Sequence, residues 1–460
     1  MKDFTQGPIH RHILAMAAPM AAGMIIQTMY YLVDLYFVSK LGDAAIAGVS
    51  AAGTATFIVL ALTQMLGVGT VALMSHAVGR KDQPDANLIF NQSLILACLC
   101  AALTLIGGYG LTGFYIRSVG SDAPMMAAAT TYLWWYTPGL ALQFALVAMG
   151  SALRGTGIVK PTMIVQMLTV FLNIILAPIL IAGWGTGHPL GVAGAGLATT
   201  LSIGAGVALL GFYFVRLEKY VSFHKDQWRP RLHTWKRMLA IGLPAGGEFG
   251  LMFVFLGVIY WAIRDFGAAA QAGFGVGSRI MQAIFLPAMA IAFAAAPIAG
   301  QNFGARKPER VRETFRDAAL MGSAVMAVLT LVCQFAPAFF IRPFASDPRV
   351  VAIGAQYLHT ISWNFVASGL IFTCSGVFQA LGNTWPSLFS SATRLATFAI
   401  PAAWLSRQPG FEIQHMWYLS VGTTALQLGL SLALVRVQMK RRLGPGPAAV
   451  SPPSAEPLTT

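Results

Sequence analysis

Charged residues are scarce in this chain of 460 residues: only 10% are Asp, Glu, Lys or Arg, while 56% are hydrophobic. A soluble domain of ordinary composition carries about a quarter charged residues. Hydrophobic runs of about 20 residues recur between Ile13 and Val437, and a helix of that length crosses the ~30 Å hydrocarbon core of a bilayer. The scarcity of charge therefore excludes a water-soluble fold and indicates a multi-pass membrane protein.

Groups that would support an enzyme are also missing. The four cysteines, Cys98, Cys100, Cys333 and Cys374, fall inside apolar segments and suggest neither disulfides nor a metal site. The chain has no P-loop and no soluble segment long enough for a nucleotide-binding domain. We therefore expect no enzymatic activity, no cofactor beyond a bound H⁺ or Na⁺, and an ion gradient as the energy source.

The basic residues, which give a formal net charge of +14, are unevenly placed along the chain. We place twelve helices near residues 12–39, 47–72, 90–112, 127–152, 161–182, 190–215, 237–262, 270–297, 318–342, 351–380, 386–406 and 415–437. Most Lys and Arg fall in the terminal segments and the even-numbered loops, as the positive-inside rule requires of cytoplasmic segments. The charge therefore predicts cytoplasmic termini in the cell inner membrane, and it does not indicate nucleic-acid binding.

The sequence repeats once, at a constant offset of 225 residues. This shift superposes Pro19 on Pro244, Gly79 on Gly304, and LGDAAIAG (41–48) on FGAAAQAG (266–273). Each half contains six helices, an even number, so the halves enter the membrane in the same orientation. Parallel repeats of this kind enclose a central cavity and expose it alternately to the two sides by rocking.

The repeat defines the predicted domain organisation. The fold class is all-α, with an N-lobe of helices 1–6 (1–215) and a C-lobe of helices 7–12 (237–442). The basic segment 216–236 links the lobes on the cytoplasmic side, and the Pro- and Ala-rich tail 443–460 is expected to be disordered.

Asp34 is the most informative charged residue, because a charge at membrane depth costs at least ~2.5–3.5 kcal/mol and needs a reason. Gln27, Tyr30 and Tyr31 share its helical face, and its repeat counterpart is the uncharged Ile259. Asp34 can bind and release H⁺ or Na⁺ as its hydration changes, so we predict an ion-coupling site beside a substrate cavity that these three neighbours line. The competing interpretation is a structural carboxylate bonded to a neighbouring helix.

Four further residues in the predicted helices carry open alternatives. Pro19 permits a kink and is predicted as a hinge, although packing alone also explains a proline that Pro244 repeats. Glu248 either attracts cationic substrates in the cavity or extends to the membrane interface. Arg279 and Arg394 are expected to pair with Glu248 or with carbonyls at helix ends.

The chain resembles the multidrug and toxic compound extrusion (MATE) transporters over almost its whole length. Four segments carry the resemblance: Pro19 followed by VDLYFVSKLGDAAIAG, LRGTGIVKPTM (153–163), PIAGQNFGARKPERVR (297–312) and GVFQALGNTWPS (376–387). The resemblance implies twelve helices in two lobes and the H⁺- or Na⁺-driven export of amphipathic organic cations.

The resemblance also implies partners for Asp34. In some members the helix 1 aspartate meets an N-x-x-x-D-P motif on helix 5 and a threonine on helix 6. Here Asn173 keeps the first position and Ala177 replaces the acid, while Thr199, or alternatively Thr200, supplies the threonine.

Another branch of the family carries two different acids, and this chain lacks both. Met252 stands where that branch has a helix 7 glutamate, and Ser368 stands where it has a helix 10 aspartate. A dehydrated Na⁺ needs several oxygen ligands, whereas a proton needs one carboxylate, so we favour H⁺. Protonation of Asp34 from outside would then shift helix 1 and release the bound cation outward.

Two other transporter classes compete with this interpretation. A lipid-linked oligosaccharide flippase on a related scaffold would need several basic residues in the cavity, and only Arg279 and Arg394 are candidates. A major-facilitator transporter would carry a basic loop motif that SHAVGRKDQPDAN (75–87) does not match. We therefore predict an antiporter that acts as a monomer in the lipid bilayer, moves small organic cations and binds no nucleic acid.

Overall fold

The computed structural model describes residues 1–119, 122–345 and 347–444. Within the first two helices it describes the backbone, but not the side chains, of residues 29–35, 54 and 55. The tail that was expected to be disordered lies outside the described residues from position 445 onward.

The described residues form long α-helices joined by short loops, and they contain no β-strand. The first half contains α1 (Ile9–Ser39), α2 (Asp43–Gly79), α3 (Gln83–Val119), α4 (Ala123–Gly155), α5 (Lys160–Ala182) and α6 (Val192–Arg216). The second half contains α7 (Leu232–Ala262), α8 (Ala268–Gly304), α9 (Pro308–Phe335), α10 (Pro337–Ile341), α11 (Pro348–Ile361), α12 (Phe365–Ala380), α13 (Trp385–Leu405) and α14 (Ile413–Leu443).

The predicted all-α membrane fold is confirmed. Eleven of the described segments are long and apolar enough to cross a bilayer, with α11 and α12 together forming one of them. The 21-residue helix α13 matches the remaining predicted span. The tenth predicted helix, near residues 351–380, is interrupted by a 3₁₀ turn over Ser362–Asn364. The apolar pattern of the sequence did not indicate this irregularity.

One predicted helix is divided in the structure, and two others extend beyond their predicted ends. The predicted helix near 318–342 is divided at Ala336: α9 ends at Phe335, and Pro337 occupies the first turn of the short helix α10, where its missing N–H costs nothing. Helices α2 and α8 each run for 37 residues, well beyond the predicted spans. Their polar last turns stay helical because they are buried against each other at one end of the bundle.

The two halves have corresponding architecture. Helix α2 packs on α3 and α4. Its equivalent, α8, packs on α9 and α12, which are the equivalents of α3 and of the second part of α4. Lys81 and Arg306, which the 225-residue shift superposes, both adopt positive φ angles of 59° and 56° just after α2 and α8. The backbone therefore repeats down to single-residue conformation.

Several loops meet at one end of the bundle, which we call the basic end because these loops and the adjoining helix ends together carry most of the Lys and Arg. It comprises the segment before α1 and residues 80–82, 156–159, 217–231, 305–307 and 381–384. Helices α2 and α8 cross there at Gly79 and Gly304. A Cβ atom on Gly79 would collide with the Gln301 carbonyl, and one on Gly304 would collide with the His76 carbonyl. The basic end is therefore closed by direct backbone contact between the halves.

Candidate functional site

A buried polar cluster surrounds the Glu248 carboxylate in the second half. Ser387 Oγ donates to Glu248 Oε2 at 2.7 Å, Ser375 Oγ to the same oxygen at 3.0 Å, and Ser391 Oγ to Oε1 at 3.3 Å. The Ser375 and Ser387 hydroxyl oxygens are 2.5 Å apart. Gln427 Nε2 donates to Ser391 Oγ at 3.3 Å and extends the cluster to α14. Four helices thus contribute to one carboxylate site.

Local sequence explains how these side chains meet. Ser387 and Ser391 are four residues apart on α13, so they lie on one helical face, one turn above the other. Glu248 follows Pro244 by one turn on α7, which packs along α13. The hydroxyl groups offset part of the cost of placing a carboxylate in an apolar bundle, because each donates a charge-assisted hydrogen bond.

The structure describes the surroundings of Glu248. The side chain is partly buried and bonded to hydroxyl groups of its own lobe, and its predicted role in attracting cationic substrates stays a prediction. Among the residues that the structure describes, Glu248 forms no salt bridge, so the expected pairing of Arg279 or Arg394 with this carboxylate is wrong, and their alternative pairing with carbonyls at helix ends stays a prediction. The Arg394 guanidinium instead lies over the Phe255 ring, with its Cζ 4.3 Å from the ring centroid, and Arg279 is exposed on α8.

The first half contains two of the three predicted ion-coupling residues in contact. Asn173 is fully buried on α5, and its Nδ2 donates to Thr199 Oγ1 on α6 at 3.3 Å. Thr199, rather than Thr200, makes this contact, because Thr200 donates to the carbonyl of Trp135. Asp34 belongs to α1, but its side chain lies outside the described residues, so its part in the site stays a prediction.

The predicted cavity residues are only partly described. Gln27 on α1 accepts a hydrogen bond from Gln166 Nε2 on α5 at 2.8 Å, whereas the side chains of Tyr30 and Tyr31 lie outside the described part of the helix. Gln166 is the repeat counterpart of Ser391, and Glu248 corresponds to Gly23. The two lobes therefore carry polar clusters at equivalent places, and among the described side chains of these clusters the acid is Glu248 of the second lobe.

The predicted hinge prolines both lie inside continuous helices, Pro19 in α1 and Pro244 in α7. The hinge role of Pro19 stays a prediction. In the described parts of the chain, no group of three or more His, Cys, Asp or Glu side chains lies close enough to hold a metal ion. What the clusters offer is a carboxyl group with hydroxyl donors in one lobe and an amide with a hydroxyl in the other.

A family model named MatE matches residues 19–179 and 244–405 of the chain. The two matches begin at Pro19 and Pro244, the prolines that the internal repeat superposes. The chain belongs to the MatE family. This confirms the resemblance to multidrug and toxic compound extrusion transporters, and MatE membership makes the chain a membrane transporter.

Two similar proteins extend this MatE assignment. The chain is 26% identical over 444 residues to the "Probable multidrug resistance protein YpnP" of Bacillus subtilis (strain 168), covering 94% of each protein. It is 25% identical over 414 residues to the "FAD transporter" of Shewanella oneidensis, covering 88% of this chain and 90% of that protein.

A solved MatE structure supports the fold. It is described as an "outward-facing conformation of a multidrug resistance MATE family transporter of the MOP superfamily". It superposes with a TM-score of 0.88 at 24% identity, over 95% of this chain and 98% of that one. The full length of the MatE fold is therefore present here.

Proposed function

We propose that this chain is an H⁺-coupled antiporter that exports amphipathic organic cations by alternating access. It lies in the cell inner membrane with its basic end on the cytoplasmic side. Membership of the MatE family and the similarity to a protein named for multidrug resistance support export of drug-like molecules. The observation that carries the proposal is the Glu248 carboxyl group inside a membrane-spanning lobe, held by hydroxyl groups on α12 and α13.

The cluster geometry favours H⁺ over Na⁺. The hydroxyl oxygens of Ser375 and Ser387 lie 2.5 Å from each other and within 3.0 Å of Glu248 Oε2, at direct hydrogen-bonding distance. A sodium ion needs several oxygen atoms arranged around it, so these oxygens would have to separate to admit one. A proton needs only one carboxylate oxygen and a rotation of the neighbouring hydroxyl groups.

The transport cycle follows from the charge of the carboxyl groups. An ionised Asp34 or Glu248 attracts an organic cation in a medium of low dielectric constant. Protonation from the outer side removes that charge, so the cation is released outward. With its carboxyl groups neutral, the protein returns to the state open to the cytoplasm without carrying an unpaired charge inside the bilayer. The carboxyl groups release their protons there and are ready to bind the next cation. Asp34 acts in the N-lobe beside Asn173 and Thr199, and Glu248 acts in the C-lobe.

The test is transport of a fluorescent organic cation, ethidium, into proteoliposomes under an imposed pH gradient, with and without Na⁺. Wild type is expected to accumulate ethidium when the lumen is acidic, without Na⁺. Glu248→Gln and Asp34→Asn should each lower the initial rate by about tenfold or more, since both remove a proton-binding group while keeping the side-chain shape.

Glu309→Gln is the matched control, because Glu309 is a carboxylate at the exposed start of α9 and forms a surface ion pair with Arg312. Its rate should equal that of wild type. Transport driven by a Na⁺ gradient alone would overturn H⁺ coupling, and a wild type that moves no organic cation would overturn the proposed substrate class. Full activity of Glu248→Gln would remove Glu248 from the mechanism.

Arg394 favours a second candidate function, the transport of aromatic molecules that carry an anionic group. In the described chain Arg394 forms no salt bridge, and its guanidinium rests on the face of Phe255. A cation near the centre of α13 is costly in a bilayer unless a charged ligand or partner offsets it. The similarity to a protein named "FAD transporter" supports a ligand of this kind.

A further inference from the structure

The segment before α1, residues 1–8, is docked on the basic end, and we call it the N-terminal strap. Phe4 is fully buried and belongs to an apolar cluster with residues of α1, α8 and α9 and with Val159 of the first half. A Cβ atom on Gly157 would lie 2.8 Å from the Phe4 ring, so only glycine leaves room for the ring there. The strap therefore occupies a site shaped to receive it.

Side chains of the second half bind the strap backbone. Arg310 donates to the carbonyl oxygens of Phe4 at 3.0 Å and Gly7 at 2.9 Å. Asn302 Nδ2 also donates to the Phe4 carbonyl at 3.2 Å, and Lys307 Nζ donates to the Thr5 carbonyl at 2.8 Å. Three polar side chains at the junction of α8 and α9 thus fix a segment that has no secondary structure of its own.

The first half binds the same strap. The Lys2 amide donates to the Thr156 carbonyl at 2.8 Å, and Val159 packs in the Phe4 cluster. Gln301 of the second half connects the strap to the first half. Its Oε1 accepts a hydrogen bond from the Phe4 amide at 3.1 Å, and its Nε2 donates to the Gly155 carbonyl of the first half at 3.0 Å. Gln301 is fully buried, so both of its bonds are protected from water.

The molecule uses the same arrangement a second time, in the linker before α7. Residues 222–231 of the linker lie along α3 of the first half, where Asn91 and Gln92 bind them. Asn91 Oδ1 accepts from the His224 amide at 3.0 Å, and Gln92 Oε1 accepts from the Arg231 amide at 2.8 Å. Each lobe is thus entered by a segment that is docked on the opposite lobe.

We propose that the N-terminal strap is a releasable clamp that holds the basic end closed. In the closed state the strap contacts Thr156 and Val159 in one lobe and Lys307 and Arg310 in the other. When the lobes separate at this end, one of these two sets of contacts must break. Strap release is therefore a required step in opening the basic end, and the strength of its docking sets the balance between the two states.

The test measures the conformation directly and does not depend on the transported molecule or the coupling ion. Spin labels are attached at Lys160→Cys and Glu309→Cys, one on each lobe at the basic end, after the four native cysteines are replaced. Electron–electron double resonance then gives the distance distribution in detergent. Wild type should show mainly the short distance. Phe4→Ala should raise the long-distance population by roughly tenfold or more, because a truncated buried phenylalanine loses most of its packing.

Arg310→Gln provides a second variant, which removes the guanidinium but keeps the strap intact, and it should shift the distribution in the same direction. Gln6→Ala is the matched control, since the Gln6 side chain is exposed within the same segment; it should leave the distribution unchanged. The melting temperature of each variant verifies that it is folded. The proposal is overturned if folded Phe4→Ala and Arg310→Gln show the wild-type distribution, or if Gln6→Ala shifts it equally.

Discussion

Glu248 and Phe255 are two turns apart on α7, and Ser387 and Arg394 are two turns apart on α13. Glu248 is bonded to Ser387, and Arg394 lies over Phe255. The carboxylate and the guanidinium of the second lobe are therefore about two helical turns apart along α7 and α13. The separation allows each charge to meet a different part of a substrate. An amphipathic molecule with both a cationic and an anionic group would satisfy both.

At this scale, the sequence identified the charges but not their surroundings. A single acid or arginine in an apolar helix is conspicuous, so Glu248 and Arg394 were predicted as special residues. Ser387 was not, since a serine in a membrane helix commonly bonds to a carbonyl of its own preceding turn. Only the packing of α7 against α13 shows that its hydroxyl group meets a carboxylate instead.

Arg394→Gln is expected to abolish discrimination for an anionic aromatic ligand. Riboflavin and flavin mononucleotide share a fluorescent ring and differ by a phosphate, so quenching of their fluorescence measures the effect of the charge. Wild type should bind flavin mononucleotide about tenfold or more tightly than riboflavin, since a hydrogen bond to a charged group contributes ~1.5–3 kcal/mol. The variant should bind both equally.

Arg279→Gln, an exposed arginine of the same lobe, serves as the control and should retain the preference. Equal binding of the two flavins by wild type would rule out an anion site at Arg394. So would a preference that survives in the Arg394→Gln protein.

At the crossing of α2 and α8, equivalent residues of the two sequence repeats form the same hydrogen bond twice. His76 Nε2 is bonded to the Ala380 carbonyl at 2.7 Å, and Gln301 Nε2 donates to the Gly155 carbonyl at 3.0 Å. His76 corresponds to Gln301 and Gly155 to Ala380 under the 225-residue shift, so the same bond crosses between the lobes twice. In the described chain, the hydrogen bonds that join the two halves all lie at the basic end.

The sequence predicted that Gly79 and Gly304 are equivalent, but not that they lie at one crossing. An internal offset relates residues in the two halves without stating which of them touch. The contact depends on the pseudo-symmetry axis passing between α2 and α8, which is a property of the assembled bundle. Glycine is needed at both positions because the opposite backbone leaves no room for a Cβ atom.

Gly79→Ala is expected to lower the stability of the protein by about 1–3 kcal/mol, because the added methyl group forces α2 away from the Gln301 carbonyl. Thermal unfolding in detergent measures the effect. Gly107→Ala is the control, since a Cβ atom on Gly107, also within a helix, meets nothing within 4 Å. Alanine there should be neutral or stabilising. Equal melting temperatures for the two variants would contradict a tight crossing.

Across the whole molecule, composition and charge determined the architecture more completely than any local feature. The apolar spans predicted an all-α membrane protein, and the constant offset predicted two equivalent halves. The division into lobes at 215 and 237 stays a prediction, although α6 ends at Arg216 and α7 begins at Leu232. The docking of the N-terminal strap and of the linker could not be predicted, because residues 1–8 and 222–231 carry no periodic pattern and are held by side chains distant in sequence.

Labelling of single cysteines in intact cells should verify the orientation of the molecule. Lys160 lies at the basic end, and His188 lies in the loop between α5 and α6 at the opposite end; both are exposed. With the native cysteines replaced, a membrane-impermeant maleimide should label His188→Cys and not Lys160→Cys, since the positive-inside rule predicts that the basic end is cytoplasmic. The reverse pattern would invert the proposed direction of transport.

The pocket that holds the Phe4 side chain has a consequence for inhibition. Most blockers of a transporter compete with its cargo, so a protein that accepts many cargoes is difficult to block in this way. The Phe4 pocket is lined by both lobes, by Val159 on one side and Ile298 on the other. A small compound that held the N-terminal strap in this pocket would keep the basic end closed and stop transport, whatever the substrate.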